Sequence, residues 1–67
     1  MKIFAERLKE LRKEKGVSLK LLASEIGVSD IAISRWENEQ RVPNIESLVA
    51  LAKYFGVSCD YLVGLED

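Results

Sequence analysis

The tripeptide Gly-Val-Ser occurs three times, at residues 16–18, 27–29 and 56–58, and each copy has the chemistry of a helix boundary. Glycine takes the left-handed conformation that ends a helix, and serine accepts a hydrogen bond from the first turn of the next helix. Five residues beyond each valine stands an apolar residue, which is the spacing of a hydrophobic staple. These residues are Leu22, Ile33 and Leu62. The repeat therefore predicts short helices joined by tight turns.

Apolar residues recur at helical spacing between these boundaries, which predicts five helices. Gly16, Gly27 and Gly56 end the first, second and fourth helices. The caps of the second to fifth helices are Ser18, Ser29, Asn44 and Ser58, and the fifth helix runs to about Val63. The expected inward stripes are Phe4, Leu8 and Leu11; Leu22, Ala23 and Ile26; Ile33 and Trp36; and Ile45, Leu48, Leu51, Ala52 and Phe55.

The segment 38–44 lacks periodicity and contains the only proline, so it is expected to be a loop. No stretch alternates with period two, which argues against strands. We therefore predict an all-α fold, a compact five-helix bundle.

Length and composition favour one small domain over residues 1–67. The hydrophobic content of 48% argues against disorder. Cys59 is the only cysteine, so no internal disulfide is possible, and we expect it to serve as a small apolar residue near the fifth helix. The longest apolar run, residues 48–52, is too short to span a bilayer. No signal segment opens the chain, so a cytoplasmic location is expected.

Charge is unevenly distributed along the chain, although the formal net charge is only −1. Residues 1–20 carry seven basic and three acidic side chains, a net of +4, whereas residues 21–67 carry three basic and eight acidic side chains, a net of −5. The overall balance does not suggest a nucleic-acid binder. The segregation indicates either two solvated faces that differ or a dipolar surface with a basic end.

The second and third helices have the features of a helix-turn-helix, in which two helices cross steeply around a short turn. Ala23 is small where the two backbones approach, Gly27 supplies the left-handed turn, and Ile33 fills the angle between the helices. The remaining inward positions are Leu22, Ile26, Val28 and Trp36. An ordinary αα-hairpin would need only some of these residues.

The whole pattern resembles the lambda-repressor-like, Cro-type helix-turn-helix domain of phage and bacterial repressors. The resemblance rests on "RLKELRKEKGVS", "LLASEIGVS", "ISRWEN", the loop proline, "LVALAKYFGVS" and "DYLVG", which together cover nearly the whole chain. It implies a five-helix domain that binds operator DNA, commonly as a dimer, with the third helix in the major groove.

The resemblance assigns base contacts to residues on the outward side of the third helix. These are Asp30, Ile31, Ser34 and Arg35. Arg35 can pair with guanine O6 and N7, or it is a surface arginine paired with Glu39. Ile31 suits a thymine methyl, or it packs on a neighbour. Ser34 contacts a base or a phosphate, or is a neutral surface residue. Asp30 can accept from cytosine N4, or it only complements the helix dipole.

Phosphate contacts are assigned chiefly to the start of the second helix and to the loop. The candidates are Leu19, Lys20, Asn38, Gln40 and Arg41; Lys9 and Lys13 of the first helix are weaker candidates. The family usually has glutamine at position 19, glycine at position 39 and lysine at position 40. This chain has Leu19, Glu39 and Gln40, changes that lower positive charge or backbone freedom near the DNA.

The resemblance also implies an ion pair between Arg12 and Glu37 that ties the first helix to the third. The apolar tail of Tyr61, Leu62, Val63 and Leu65 either closes the core or forms a dimer patch.

The chain contains no histidine, no glycine-rich phosphate loop and no metal-ligand cluster, so it is not expected to be an enzyme or to hold a cofactor. Two functions remain. The first is a repressor-type regulator that binds double-stranded DNA, as a homodimer, without a small-molecule or membrane site. The alternative is a protein-interaction module on the same fold, such as an anti-repressor or antitoxin partner.

Overall fold

The computed structural model describes residues 1–67 and contains five α-helices and no strand. Their bounds are α1 Lys2–Lys15, α2 Leu19–Ile26, α3 Asp30–Glu37, α4 Ile45–Phe55 and α5 Cys59–Val63. The predicted all-α, five-helix fold is confirmed. None of the helices is long and apolar enough to cross a membrane.

Each Gly-Val-Ser triplet ends one helix and starts the next. At the second copy, Gly27 adopts φ 78°, and the N–H groups of Gly27 and Val28 donate to the Ala23 carbonyl. Ser29 then accepts a hydrogen bond from the Ala32 N–H, 3.1 Å away, which satisfies a donor in the first turn of α3. The other two copies repeat these caps, so the turn geometry follows from local chemistry.

The core lies where the inward sides of the five helices meet. Its fully buried large side chains are Phe4, Leu8, Leu22, Ile33, Leu51 and Leu62. Three of them are the predicted staple residues, and the partner valines at 17, 28 and 57 pack against the same core. Cys59 is free, partly buried and packed there too, as expected.

One predicted core position is wrong, because Ile45 is 79% exposed. Ile45 is the first residue of α4. Side chains tilt toward the N-terminus of a helix, so a side chain at the first position projects beyond the helix end. The buried stripe of α4 instead begins at Leu48 and continues through Leu51 and Ala52.

The C-terminal segment folds back on α1. Arg7 donates hydrogen bonds to the carbonyls of Tyr61 and, at 2.7 Å, Glu66, and its guanidinium lies 4.2 Å from the centre of the Tyr61 ring. Ser58 donates to the Glu66 carboxylate. Leu62 is buried while Leu65 is 77% exposed, so the apolar tail both closes the core and leaves an apolar side chain at the surface.

Candidate nucleic-acid interface

The helix α3 is fixed by two buried side chains and presents its other side to solvent. Ile33 and Trp36 lie in the core. With 100° per residue, the four predicted base-contacting residues fall on one arc of about 140°. These are Asp30, Ile31, Ser34 and Arg35, none of which is buried. The structure therefore brings these four candidates together on one accessible helix face.

Two side chains on this face are free to meet a ligand. Ile31 is 61% exposed, so it does not pack back on a neighbouring element. Arg35 is exposed and forms no ion pair, since the only ion pair in the protein joins Arg12 and Glu37. The alternative pairing of Arg35 with Glu39 is wrong, because α3 ends at Glu37 and position 39 no longer lies one helical turn beyond Arg35.

The C-terminal end of α3 is capped by the side-chain amide of Asn38. Asn38 Nδ2 donates to the Ser34 carbonyl at 2.8 Å and lies 3.4 Å from the Ser34 hydroxyl. The backbone N–H of Asn38 also donates to the Ser34 carbonyl, at 3.0 Å. The donors of Asn38 are therefore largely engaged within the chain, so Asn38 is a weaker candidate for a phosphate contact than the sequence suggested.

After α3 the chain turns sharply at Glu39, the only non-glycine residue with positive φ, at 61°. This left-handed conformation favours glycine, which is the residue that the family resemblance places here. In this turn the N–H of Gln40 donates a hydrogen bond to the Arg35 carbonyl, at 2.9 Å. The side chains of Gln40 and Arg41 are then exposed beside the end of α3.

The start of α2 offers a second group of donors. Ser18 caps the helix by accepting from the Leu21 N–H at 3.0 Å. Lys20 is exposed. Leu19 is partly buried against the core, and its side chain has no donor. The donor that Leu19 can offer is its backbone N–H, one of the first in α2 and without an intrahelical acceptor.

A bidentate ion pair anchors α3 to α1. Arg12 Nε lies 2.7 Å from Glu37 Oε2, and Nη2 lies 3.1 Å from Oε1. A third donor, Nη1, reaches the Val17 carbonyl at 3.2 Å, which adds the turn between α1 and α2 to the same anchor. The hydrogen bonds to Glu37 and its negative charge raise the pKa of the Arg12 guanidinium above its ordinary value, and burial acts in the opposite direction.

Sequence reasoning missed the structural role of Arg7, which was counted only as a basic charge. Its hydrogen-bond partners lie 54 and 59 residues away in the sequence, so no local pattern could predict them. No group of three or more His, Cys, Asp or Glu side chains is placed to hold a metal ion.

A helix-turn-helix family model matches residues 8–62. The HTH-type transcriptional activator BcrR of Enterococcus faecalis is 41% identical over 64 residues, which are 96% of this chain and 31% of that protein. Repressor protein C2 of Salmonella phage P22 is 39% identical over 61 residues, which are 91% of this chain and 28% of that protein. This chain thus spans about a third of each relative.

A solved structure of the P22 c2 repressor with a synthetic operator superposes with a TM-score of 0.87 at 39% identity, covering 92% of this chain and 94% of that one. The matched residues include all of α2 and α3 and the turn between them. By its sequence and its fold, the chain belongs to the helix-turn-helix family.

Proposed function

We propose that this chain binds double-stranded DNA in a sequence-specific manner, with α3 in the major groove, as the DNA-binding part of a repressor-type transcriptional regulator. The observation that carries the proposal is the accessible face of α3, held in a helix-turn-helix by Ile33, Trp36 and the Arg12–Glu37 pair. The same fold occurs in the P22 c2 repressor, whose structure contains an operator. The family comprises DNA-binding transcription regulators, not enzymes.

The base contacts follow from the chemistry of the outward side chains. Arg35 pairs through its planar fork with guanine O6 and N7, and Ile31 packs on a thymine methyl. Ser34 donates its hydroxyl to a base or a phosphate. Asp30 either accepts from cytosine N4 or stabilises the first turn of α3 through the helix dipole.

The phosphate contacts lie on both sides of α3. Lys20 and the free backbone N–H of Leu19 serve one strand at the start of α2. Arg41 and Gln40 serve the backbone beside the loop, and Asn38 contributes less because its Nδ2 already donates to Ser34. Such contacts hold the register of the protein on the duplex and carry no sequence information themselves.

Two copies acting as a homodimer account for operator recognition better than one copy. A single module of this size reads only a few base pairs, and a two-fold dimer reads two half-sites about 10 base pairs apart. The exposed Leu65 beside Tyr61 supplies an apolar patch for the contact. A footprint over two symmetric half-sites supports the dimer, whereas one bound chain on one asymmetric half-site excludes it.

Within the helix-turn-helix family we assign the chain to the Cro-type branch, with residues 1–67 forming one DNA-binding domain. As a regulator of bacterial or phage type it would act in the cytoplasm, where its DNA lies.

A protein-interaction role is the competing function, and two observations favour it. The apolar side chain of Ile31 is 61% exposed on the presented face. Asp30 in the first turn of α3 and Glu39 just beyond its last turn add carboxylates, which repel phosphates. In that role the face of α3 binds another protein, and Ile31 is the first residue to test at the contact.

Selection of bound sequences from a random duplex library, followed by salt titration, separates the two functions. DNA binding predicts a recovered consensus and a steep fall of affinity with salt, because phosphate neutralisation releases counterions. Recovery of no consensus, together with no salt-dependent binding to duplex DNA, would leave the protein-interaction role.

A further inference from the structure

The exposed surface of α1 carries two separate stripes of charge. With 100° per residue, Lys2, Lys9 and Lys13 fall within about 40° of one another on the helix. We call them the lysine stripe. Three glutamates, each about one turn from the next, occupy the adjacent side of the helix, and we call them the glutamate stripe. They are Glu6, Glu10 and Glu14. Three of the seven basic side chains of residues 1–20 therefore lie along one line of α1.

Two long-range contacts show which way each stripe faces. Arg12, whose position is about 60–100° from the three lysines, bonds to Glu37 at the end of α3. Arg7, about 20–100° from the three glutamates, bonds to Tyr61 and Glu66 in and after α5. The lysine stripe therefore lies on the α3 side of α1, and the glutamate stripe lies on the α5 side.

The lysines of the stripe are free to bind an anion. The only ion pair in the protein is Arg12–Glu37, so none of the three lysines is paired, although glutamates stand within one turn of them. Lys2 and Lys13 are exposed, and Lys9 is partly buried. In contrast, Arg7 and Arg12 have their donors engaged within the chain.

The charges on the two sides of α1 reinforce this asymmetry. The charged side chains around α3 nearly cancel. Three are cations and two are carboxylates, which gives a net charge of only +1; they are Lys20, Arg35, Arg41, Asp30 and Glu39. The lysine stripe raises the net charge of that side to +4. The α5 side combines the glutamate stripe with three further carboxylates, at Asp60, Glu66 and Asp67. A polyanion is therefore attracted to the α3 side and repelled from the α5 side.

We propose that the lysine stripe contacts the DNA backbone beyond the base pairs that α3 reads, so that α1 extends the interface along the duplex. This inference rests on the proposed function, because it takes α3 to lie in the groove. The Arg12–Glu37 pair holds the part of α1 that carries Lys9 and Lys13 beside the end of α3. The stripe then supplies the electrostatic attraction that the nearly neutral face of α3 lacks, without adding base specificity.

The test compares two double variants with the same loss of charge. In the first, Lys9→Gln and Lys13→Gln remove two charges from the stripe. In the control, Lys15→Gln and Lys53→Gln remove two charges elsewhere, since Lys15 lies over the Tyr54 ring and Lys53 on α4. Thermal melting checks that both fold. Affinity for a selected duplex is then measured across a range of salt concentrations.

We expect the stripe variant to flatten the slope of log K against log salt by about two units and to bind roughly tenfold or more weakly at low salt, while the control follows the parent. On a duplex trimmed to the base pairs read by α3, the stripe variant and the parent should bind alike. Equal behaviour of the two double variants on the long duplex would overturn the proposal. If the parent binds and only Arg41→Ala flattens the slope, this inference fails alone; if the parent shows no salt-dependent binding, the proposed function fails with it.

Discussion

The Arg12 guanidinium holds both carboxylate oxygens of Glu37, at 2.7 and 3.1 Å, across the junction of α1 and α3. The two side chains are 16% and 4% exposed. Glu37 is the only buried charged residue in the protein, so its carboxylate depends on this one partner for compensation. The position of α3 on the bundle is thereby coupled to α1.

Replacement of Glu37 by alanine should destabilise the fold strongly. The substitution leaves the Arg12 charge uncompensated in a partly buried position, which costs up to roughly 3–5 kcal/mol and less where water reaches the guanidinium. A domain of this length has a total free energy of unfolding of about 3–10 kcal/mol. We therefore expect Glu37→Ala to lose a large fraction of its stability and to melt well below the parent, as measured by circular dichroism on heating. Glu10→Ala, on the exposed side of α1, is the control and should melt like the parent. An unchanged melting temperature for Glu37→Ala would refute the role of the pair.

The helix boundaries could be predicted from sequence because their causes are local. Each Gly-Val-Ser triplet contains the glycine that ends one helix and the serine that caps the next, and both hydrogen bonds reach no further than five residues. The same holds for Asn44, which caps α4 by accepting from the Ser47 N–H at 2.8 Å. The predicted order of five helices followed from these bonds and from the apolar spacing between them.

Other features depend on tertiary contacts and could not be predicted from local sequence patterns. Helical phase placed Ile45 on the inward side, but the spacing does not show that the helix begins at Ile45 and that its contact with the core begins only about one turn later, at Leu48. The partners of Arg7 are set by the return of the C-terminal segment to α1. The Arg12–Glu37 pair was expected only from family resemblance, since 25 residues separate its members. The outward face of α3 was predictable because Ile33 and Trp36 fix its rotation.

The turn after α3 should become more stable when Glu39 is replaced by glycine. Glu39 is held at φ 61°, and a non-glycine residue in this region costs of the order of 1–3 kcal/mol. Glycine loses about 0.5–1 kcal/mol of that gain through the greater freedom of the unfolded chain. We expect a net gain of about 1 kcal/mol, or a rise of roughly 4–8 °C in melting temperature. The control is Glu39→Gln, which removes the charge but keeps the strained conformation. Equal melting temperatures for the two variants would show that strain at this position is negligible.

Arg35 and Arg41 should differ in what their loss does to DNA recognition. Arg35→Ala removes the proposed base contact, so it should cost roughly 1–3 kcal/mol on the preferred site and relax specificity at one position. Arg41→Ala removes the proposed phosphate contact, so it should weaken all sequences alike and flatten the salt slope by about one unit. Competition binding with single-base variants of the selected site measures the first effect, and salt titration measures the second. If both variants bind the selected site like the parent, α3 does not lie in the groove.

Asp30 places a carboxylate in the first turn of α3, on the face proposed to meet DNA. Asp30→Gln should raise affinity for every duplex, because it removes a charge that phosphates repel. The gain should be larger at low salt, where screening is weak.

Asp60 offers a matched control, since it occupies the first turn of the equally serine-capped α5, on the side away from the proposed interface. Asp60→Gln loses the same interaction with a helix dipole, worth about 0.3–1 kcal/mol of stability, and should leave DNA affinity unchanged. If Asp30 instead accepts from cytosine N4, its replacement should weaken the selected site while still strengthening random duplexes. A loss of affinity on both kinds of duplex would contradict a repulsive role for this carboxylate.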